Sequence, residues 1–226
     1  MPPANAIASM HAKASALPSA ASIEVRRLTD VGGSEAAADW VAVEAPLELR
    51  IGNIPATVLM RTPGHDDELV SGFLFNEGVI HSQADIQFIS EPHPSPEEIG
   101  GSVIDVRLSP ECANRTLDRA FYSNASCGVC GKKSIAALEV KGALAGAAAA
   151  IPRDVLLGLP DRLRSTQTVF AQTGGVHASG LFTPEGELIT LREDVGRHNA
   201  LDKIVGWALR ADRLPLSSSE IGRAHV

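Results

Sequence analysis

Two strand-length runs, VHASGLF (176–182) and ELITLRE (187–193), are separated only by TPEG and lead straight into helical spacing. TPEG reads as a turn in which Gly186 supplies a positive φ, so the two runs form a hairpin. In the following DVGRHNALDKIVGWALRADRL, apolar Ala200, Leu201, Ile204, Val205, Ala208 and Leu209 recur at helical spacing. Strands and helices alternate upstream as well. Apolar residues fall on every second position from Val41 to Ile51, a half-buried strand with Pro46 marking a break or edge. IPATVLM (54–60) and SVIDVRL (102–108) read as further strands. TPGHDDELVSGFLFNEGVI reads as a helix whose first turn is acidic, whose apolar stripe is Leu69, Val70, Phe73 and Leu74, and whose stop is Gly78. PRDVLLGLPDRLRSTQTVF is helical in character, with Pro160 kinking or restarting it. The alternation predicts an α/β, or α+β layered, fold.

The chain is 226 residues long and 44% hydrophobic, enough to bury a real core as one domain or a domain plus a small lobe. Its formal charge of −7 argues against nucleic-acid binding, which needs a basic face, but leaves room for a local basic pocket. No apolar run is long enough to span a bilayer, and the Ala-, Ser- and Pro-rich start lacks the pattern of a secretory signal. The three cysteines are Cys112, Cys127 and Cys130, too few and too odd in number for a secreted disulfide framework, so a reducing cytoplasm is expected.

Cys127 and Cys130 lie in SNASCGVCGKKS, a glycine-flanked CxxC with two lysines behind it. A structural zinc site needs four ligands, and here Cys112, His177 and His198 sit on separate elements. A dithiol–disulfide exchanger uses CxxC at a helix N-terminus, where the first thiol's pKa is lowered, whereas SNAS is loop chemistry. A persulfide carrier needs a thiolate on a mobile loop. Gly128 and Gly131 supply backbone freedom, and Lys132 and Lys133 favour the anion. A surface pair with no role is the bland alternative.

Two further stretches are rich in binding chemistry. In AQTGGVHASG, Thr173, Gly174 and Gly175 form a turn whose backbone amides could face a phosphate, with His177 just beyond. In REDVGRHNALDK, the residues Arg192, Asp194, Gly196, Arg197, His198, Asn199, Asp202 and Lys203 crowd a strand-to-helix junction. A helix N-terminus beside Arg and His suits a phosphate or nucleotide, while Asp194 could equally cap a helix starting near Val195.

CGVCG, FAQTGGVHASGLF and REDVGRHNALDKIVG, in this order and spacing, resemble the FdhD family of formate dehydrogenase accessory sulfurtransferases, and TPGHDDELVSGFLFNEGVI resembles its early helix. The resemblance runs from about Val41 to about Leu214. It implies a cytidine-deaminase-like core with an additional N-terminal mixed lobe. It also implies a sulfur carrier that receives persulfide sulfur from a cysteine desulfurase and passes it to the molybdenum cofactor in its bis-guanine-dinucleotide form (Mo-bis-MGD), for formate dehydrogenase. By motif, Cys127 takes the persulfide-bearing place and Cys130 its partner's. Thr173, Gly174, Gly175, His177, Asp194, Gly196, Arg197, His198 and Asn199 fall near the nucleotide pocket. A homodimer is implied, and no permanent metal. Where a deaminase carries H-x-E, this chain reads His198-Asn199-Ala200, and no PCxxC follows, so deaminase chemistry is not expected. The alternative from another class is a guanine-nucleotide- or molybdopterin-binding maturation chaperone with a redox or zinc-binding CxxC.

The expected organisation is a disordered tail over 1–22, a strand/helix lobe over 23–120, a mobile CxxC loop over 121–135 and a deaminase-like core over 136–219. EIGRAHV (220–226) matches the translation of a common sequencing adapter, so it is expected to be non-native, with the natural chain continuing past Ser219. The resemblance implies a further strand–helix portion there, carrying a glycine- and arginine-containing motif.

Overall fold

The computed structural model describes residues 18–28, 32–95, 101–112, 151–217 and 219–224. Within them the chain is a mixed α/β protein with three sheets and four α-helices. The first sheet is a hairpin of β1 (Ala20–Leu28) and β2 (Ser34–Ala42). The second is ordered β4-β3-β7-β5, from β3 (Ala45–Ile51), β4 (Ile54–Arg61), β5 (Ile86–Ile89) and β7 (Ser102–Leu108), with the short β6 (His93–Pro94) also on β7. The third is ordered β10-β8-β9, from β8 (His177–Phe182), β9 (Leu188–Asp194) and β10 (Glu220–Ala224).

Helix α1 (Asp66–Asn76) lies on the five-stranded sheet and closes the larger core, where Leu69, Val70, Phe73 and Leu74 meet Leu47, Leu49, Ile104 and Val106. At ~1.5–3 kcal/mol per fully buried aliphatic or aromatic side chain, this cluster is a principal source of stability. The other side of α1 packs on α4 (Arg197–Arg210), which in turn lies on β8 and β9. Helix α2 (Arg153–Thr166) packs against the same three-stranded sheet through Leu159, Leu163, Ala178 and Phe182. Strand β8 is therefore buried from Ala178 to Phe182 without alternation.

Two glycines set how closely α1 and α4 approach. A Cβ on Gly72 would overlap the Asp202 carbonyl, and one on Gly206 would overlap the Glu68 carbonyl. Small residues at the crossing let the two backbones touch, so the helix pair forms a rigid middle layer between the sheets. The acidic first turn of α1 does more than complement the helix dipole, because each carboxylate meets an arginine from a different element. Arg61 of β4 grips Asp66 through two 2.9 Å bonds, Arg210 at the end of α4 meets Asp67 at 3.0 Å, and Arg192 of β9 grips Glu68.

Several element boundaries depart from the sequence reading. The break near Pro46 falls instead at 43–44, where β2 ends and β3 begins, and Pro46 pairs with Met60 inside β3. The second helical region breaks at Gln167 rather than at Pro160, giving α2 and a short α3 (Thr168–Thr173). Pro160 is tolerated inside α2 because it and Leu156, whose carbonyl loses a partner, lie on the solvent side. The hairpin starts at Ala20, within the stretch read as a tail. Gly186 takes the positive φ expected of it, 84°, and Gly78, read as the stop of α1, follows the helix end with φ 73°.

Candidate functional site

The TGGVH and DVGRHN stretches meet at one end of the three-stranded sheet. His177, the first residue of β8, pairs with Asp194, the last residue of β9. The turn before β8 is tied to β9 a second time. The Glu193 carboxylate accepts the backbone N–H groups of Val169 at 2.9 Å and Phe170 at 2.8 Å, capping α3 from another strand. Helix α3 then ends in a left-handed Gly174 at φ 64°, and the Gly175 N–H donates to Thr173 Oγ1 at 3.2 Å.

The nine binding candidates divide by accessibility. Gly174, Gly175 and Arg197 are exposed, Thr173, His177 and His198 are half-buried, and Asp194, Gly196 and Asn199 are buried. The Asp194 carboxylate is fully enclosed and accepts four donors. Oδ1 takes the Gly196 N–H at 2.8 Å and Asn199 Nδ2 at 3.0 Å. Oδ2 takes the Thr62 N–H at 3.1 Å and Lys203 Nζ at 2.7 Å. Lys203 Nζ also donates to the Thr62 carbonyl at 2.9 Å and the Glu193 carbonyl at 3.3 Å. Asn199 Nδ2 also reaches the Met60 carbonyl at 2.7 Å, and the Val195 N–H donates to Thr62 Oγ1 at 3.0 Å. Asp194 and Asn199 thus hold the loop that carries Arg197 and His198 against the end of β4. Helix α4 starts at Arg197, after Gly196, rather than near Val195.

The sequence reading placed Lys203 in the polar junction but not among the nine binding candidates, and it missed Thr62, although both complete this network. The signal was present, since Lys203 stands beside Ile204 on the face that carries Ala200 and Ala208. A lysine on such a face has to find a carboxylate or carbonyls when the helix packs.

A second feature lies away from these residues. A cleft of about 640 Å³ opens between the Pro63–Asp67 turn, the β5–β6 segment and Arg210, and none of the nine candidates lines it. His65 borders it with a left-handed backbone, φ 55°, and its Nδ1 lies 3.3 Å from Glu68 Oε2. Burial and then the Arg192 guanidinium pull the His65 imidazole below its usual range, against the opposing pull of Glu68.

Cys127 and Cys130 lie outside the described residues, and Cys112 is a buried free thiol in the larger core. Among the described residues no group of three or more His, Cys, Asp or Glu is placed to hold a metal ion, and no helix is long and apolar enough to cross a membrane.

Comparison with known proteins gives a consistent relationship. The family model described as FdhD/NarQ matches residues 42–219. The sulfur carrier protein FdhD of Mycobacterium tuberculosis is 46% identical over 198 residues, spanning 82% of this chain and 72% of that protein. The protein of the same name from Streptomyces coelicolor is 43% identical over 213 residues, spanning 89% and 74%. The one from Sulfolobus acidocaldarius is 40% identical over 195 residues, spanning 86% and 72%. A crystal structure from Desulfotalea psychrophila, provisionally assigned as a formate dehydrogenase accessory protein, superposes with a TM-score of 0.64 at 22% identity, covering 92% of this chain and 74% of that one. At that identity the superposition speaks for the fold, and the family match and the relatives place the chain itself: it belongs to the FdhD/NarQ family.

Proposed function

We propose that this protein is a cytoplasmic sulfur carrier in formate dehydrogenase maturation, with Cys127 as its persulfide-bearing nucleophile. The observation that carries the reading is the 46% identity to a sulfur carrier protein over 82% of the chain, which also holds the CGVCG motif. The Cys127 thiolate attacks the terminal sulfur of a cysteine desulfurase persulfide, and the desulfurase thiolate leaves. Cys130 then attacks Sγ of Cys127. A Cys127–Cys130 disulfide forms, the S–S bond to the outer sulfur breaks, and that sulfur departs as sulfide, its two-electron reduction matched by oxidation of the two thiols.

The acceptor in this reading is the molybdenum cofactor in its bis-guanine-dinucleotide form, handled as a substrate. Exposed Arg197 supplies positive charge, and the α4 N-terminus with half-buried His198 and the Thr173–Gly175 turn supplies hydrogen-bond donors, both suited to its phosphates. Asp194, Gly196 and Asn199 act in the same reading by holding that loop. In this reading the core is cytidine-deaminase-like and the working form is a homodimer.

The test is to incubate the protein with a cysteine desulfurase and cysteine, and to seek a mass gain of one sulfur on the peptide holding Cys127. Cys127→Ala should abolish it. A label that persists in Cys127→Ala and disappears in Cys130→Ala would reverse the assignment. The accessible cluster at the α4 N-terminus also favours a second reading, a cofactor-binding maturation chaperone. Restoration of formate dehydrogenase activity by Cys127→Ala would support it.

A further inference from the structure

Every residue from 86 to 95 lines the cleft of about 640 Å³. A cavity on one face of an extended segment meets only alternate side chains, because successive ones point to opposite faces. A cavity met by each residue in succession runs along the segment's edge. That edge is open. Among the described residues β5 is the last strand in the order β4-β3-β7-β5. The segment follows β7 onward through bonds from the Ser90 N–H to the Asp105 carbonyl at 2.9 Å and from the Ser95 N–H to the Gly101 carbonyl at 2.9 Å. With Ser90 bonded toward β7, the backbone N–H and C=O groups of Ile89 and Glu91 on either side of it point the other way, along the open edge. Two features keep that edge short. The register against β7 slips between Ile86 and Phe88, leaving Gln87 as an extra residue, and Pro92 and Pro94 carry no N–H. An indefinite ladder is blocked, while a short pairing around Ile89 and Glu91 stays available.

The charges on the walls say what kind of chain fits. Arg61 commits its donors to Asp66 and the Ala45 carbonyl, and Arg210 meets Asp67 at 3.0 Å. Neither arginine is left for a phosphate. Exposed Glu91 also lines the cleft, and no described cation pairs with it. The uncommitted charge is therefore negative, and it belongs to a residue whose backbone faces the open edge. Phe88 beside it is 50% exposed and offers an apolar surface.

We propose that the edge at Ile89 and Glu91 binds an extended segment of a partner polypeptide by strand addition, with a lysine or arginine of that segment against Glu91. Peptide binding here and sulfur loading at Cys127 are measured separately, so either can fail alone.

The test pans a phage-displayed library of random peptides on the full chain and measures the selected peptides by fluorescence anisotropy. They should carry a basic residue within a β-prone run. Methylating their backbone nitrogens one at a time should abolish binding at alternate positions and spare those between, the period-two signature of a paired strand. Glu91→Lys should melt with the wild type, because the residue is exposed, yet weaken these peptides about threefold to tenfold. Peptides with the basic residue changed to glutamate should prefer Glu91→Lys over the wild type. GMP should not displace the peptides. Failure to select a peptide, unchanged binding to Glu91→Lys, no alternation in the methylation scan, or displacement by GMP would each overturn the proposal.

Discussion

Lys203→Met keeps the length of the side chain and removes its ammonium group from a sealed site. Lys203 is 1% exposed and Asp194 0%. The ammonium bonds lost are those to Asp194 Oδ2 at 2.7 Å, the Thr62 carbonyl at 2.9 Å and the Glu193 carbonyl at 3.3 Å. What remains is an unpaired carboxylate held only by the neutral donors of Thr62, Gly196 and Asn199. Breaking a buried pair on one side costs ~3–5 kcal/mol. The three surviving donors put the expected loss at the lower end, about 3 kcal/mol, a large share of the ~5–15 kcal/mol that stabilises a domain. Urea unfolding followed by far-UV circular dichroism and by fluorescence of Trp207 on α4 measures it directly. Asp194→Asn combined with Lys203→Met removes both charges and should be at least ~1 kcal/mol more stable than the single Lys203→Met variant. A single variant costing less than ~1 kcal/mol, or a double variant costing the full sum of the two singles, would refute the claim that this pair locks the α4 N-terminus to β4.

Gly72→Ala should lower stability by ~3 kcal/mol or more, because its methyl group meets the Asp202 backbone carbonyl, whereas Gly158→Ala on open α2, with nothing nearer than Arg162 Nε at 3.9 Å, should raise it by ~0.5–1 kcal/mol. Opposite signs in thermal melts are the check. Burial raises the Asp202 carboxyl from 3.8 to about 7 despite its bond from Asn76. The folded state therefore holds a proton that the unfolded state releases, and the contribution to stability is present below about pH 3.8 and lost as pH rises through about 7. Asp202→Asn should flatten that decline and gain ~1–2 kcal/mol at pH 8, after discounting for the partial exposure of the group. Glu68→Gln removes the carboxylate that raises the His65 pKa, so titration of the imidazole by NMR should show it falling further below 6.5. An upward movement would contradict the assigned contact.

Most of the elements around the candidate site were legible because their causes are local. The hairpin at 177–194 announced itself through Gly186 and two strand-length runs, and α1 through its acidic first turn and the stripe from Leu69 to Leu74. The break at Gln167 was not legible, because it depends on Glu193 capping α3 from a strand that follows later in the chain. Nor was the hairpin of β1 and β2 assigned, since its residues face solvent on both sides and show no clean alternation.

From the sequence alone came the strands and helices that build the site, the family resemblance and the identity of the thiols, all of which rest on residue types and short-range spacing. Tertiary structure decided which polar residues of REDVGRHNALDK are available to a ligand. Asp194, Asn199 and Lys203 are as polar as exposed Arg197, yet three segments close over them and use their bonding capacity internally. That division follows from long-range packing, because a side chain's donors and acceptors are committed only when distant strands arrive to claim them.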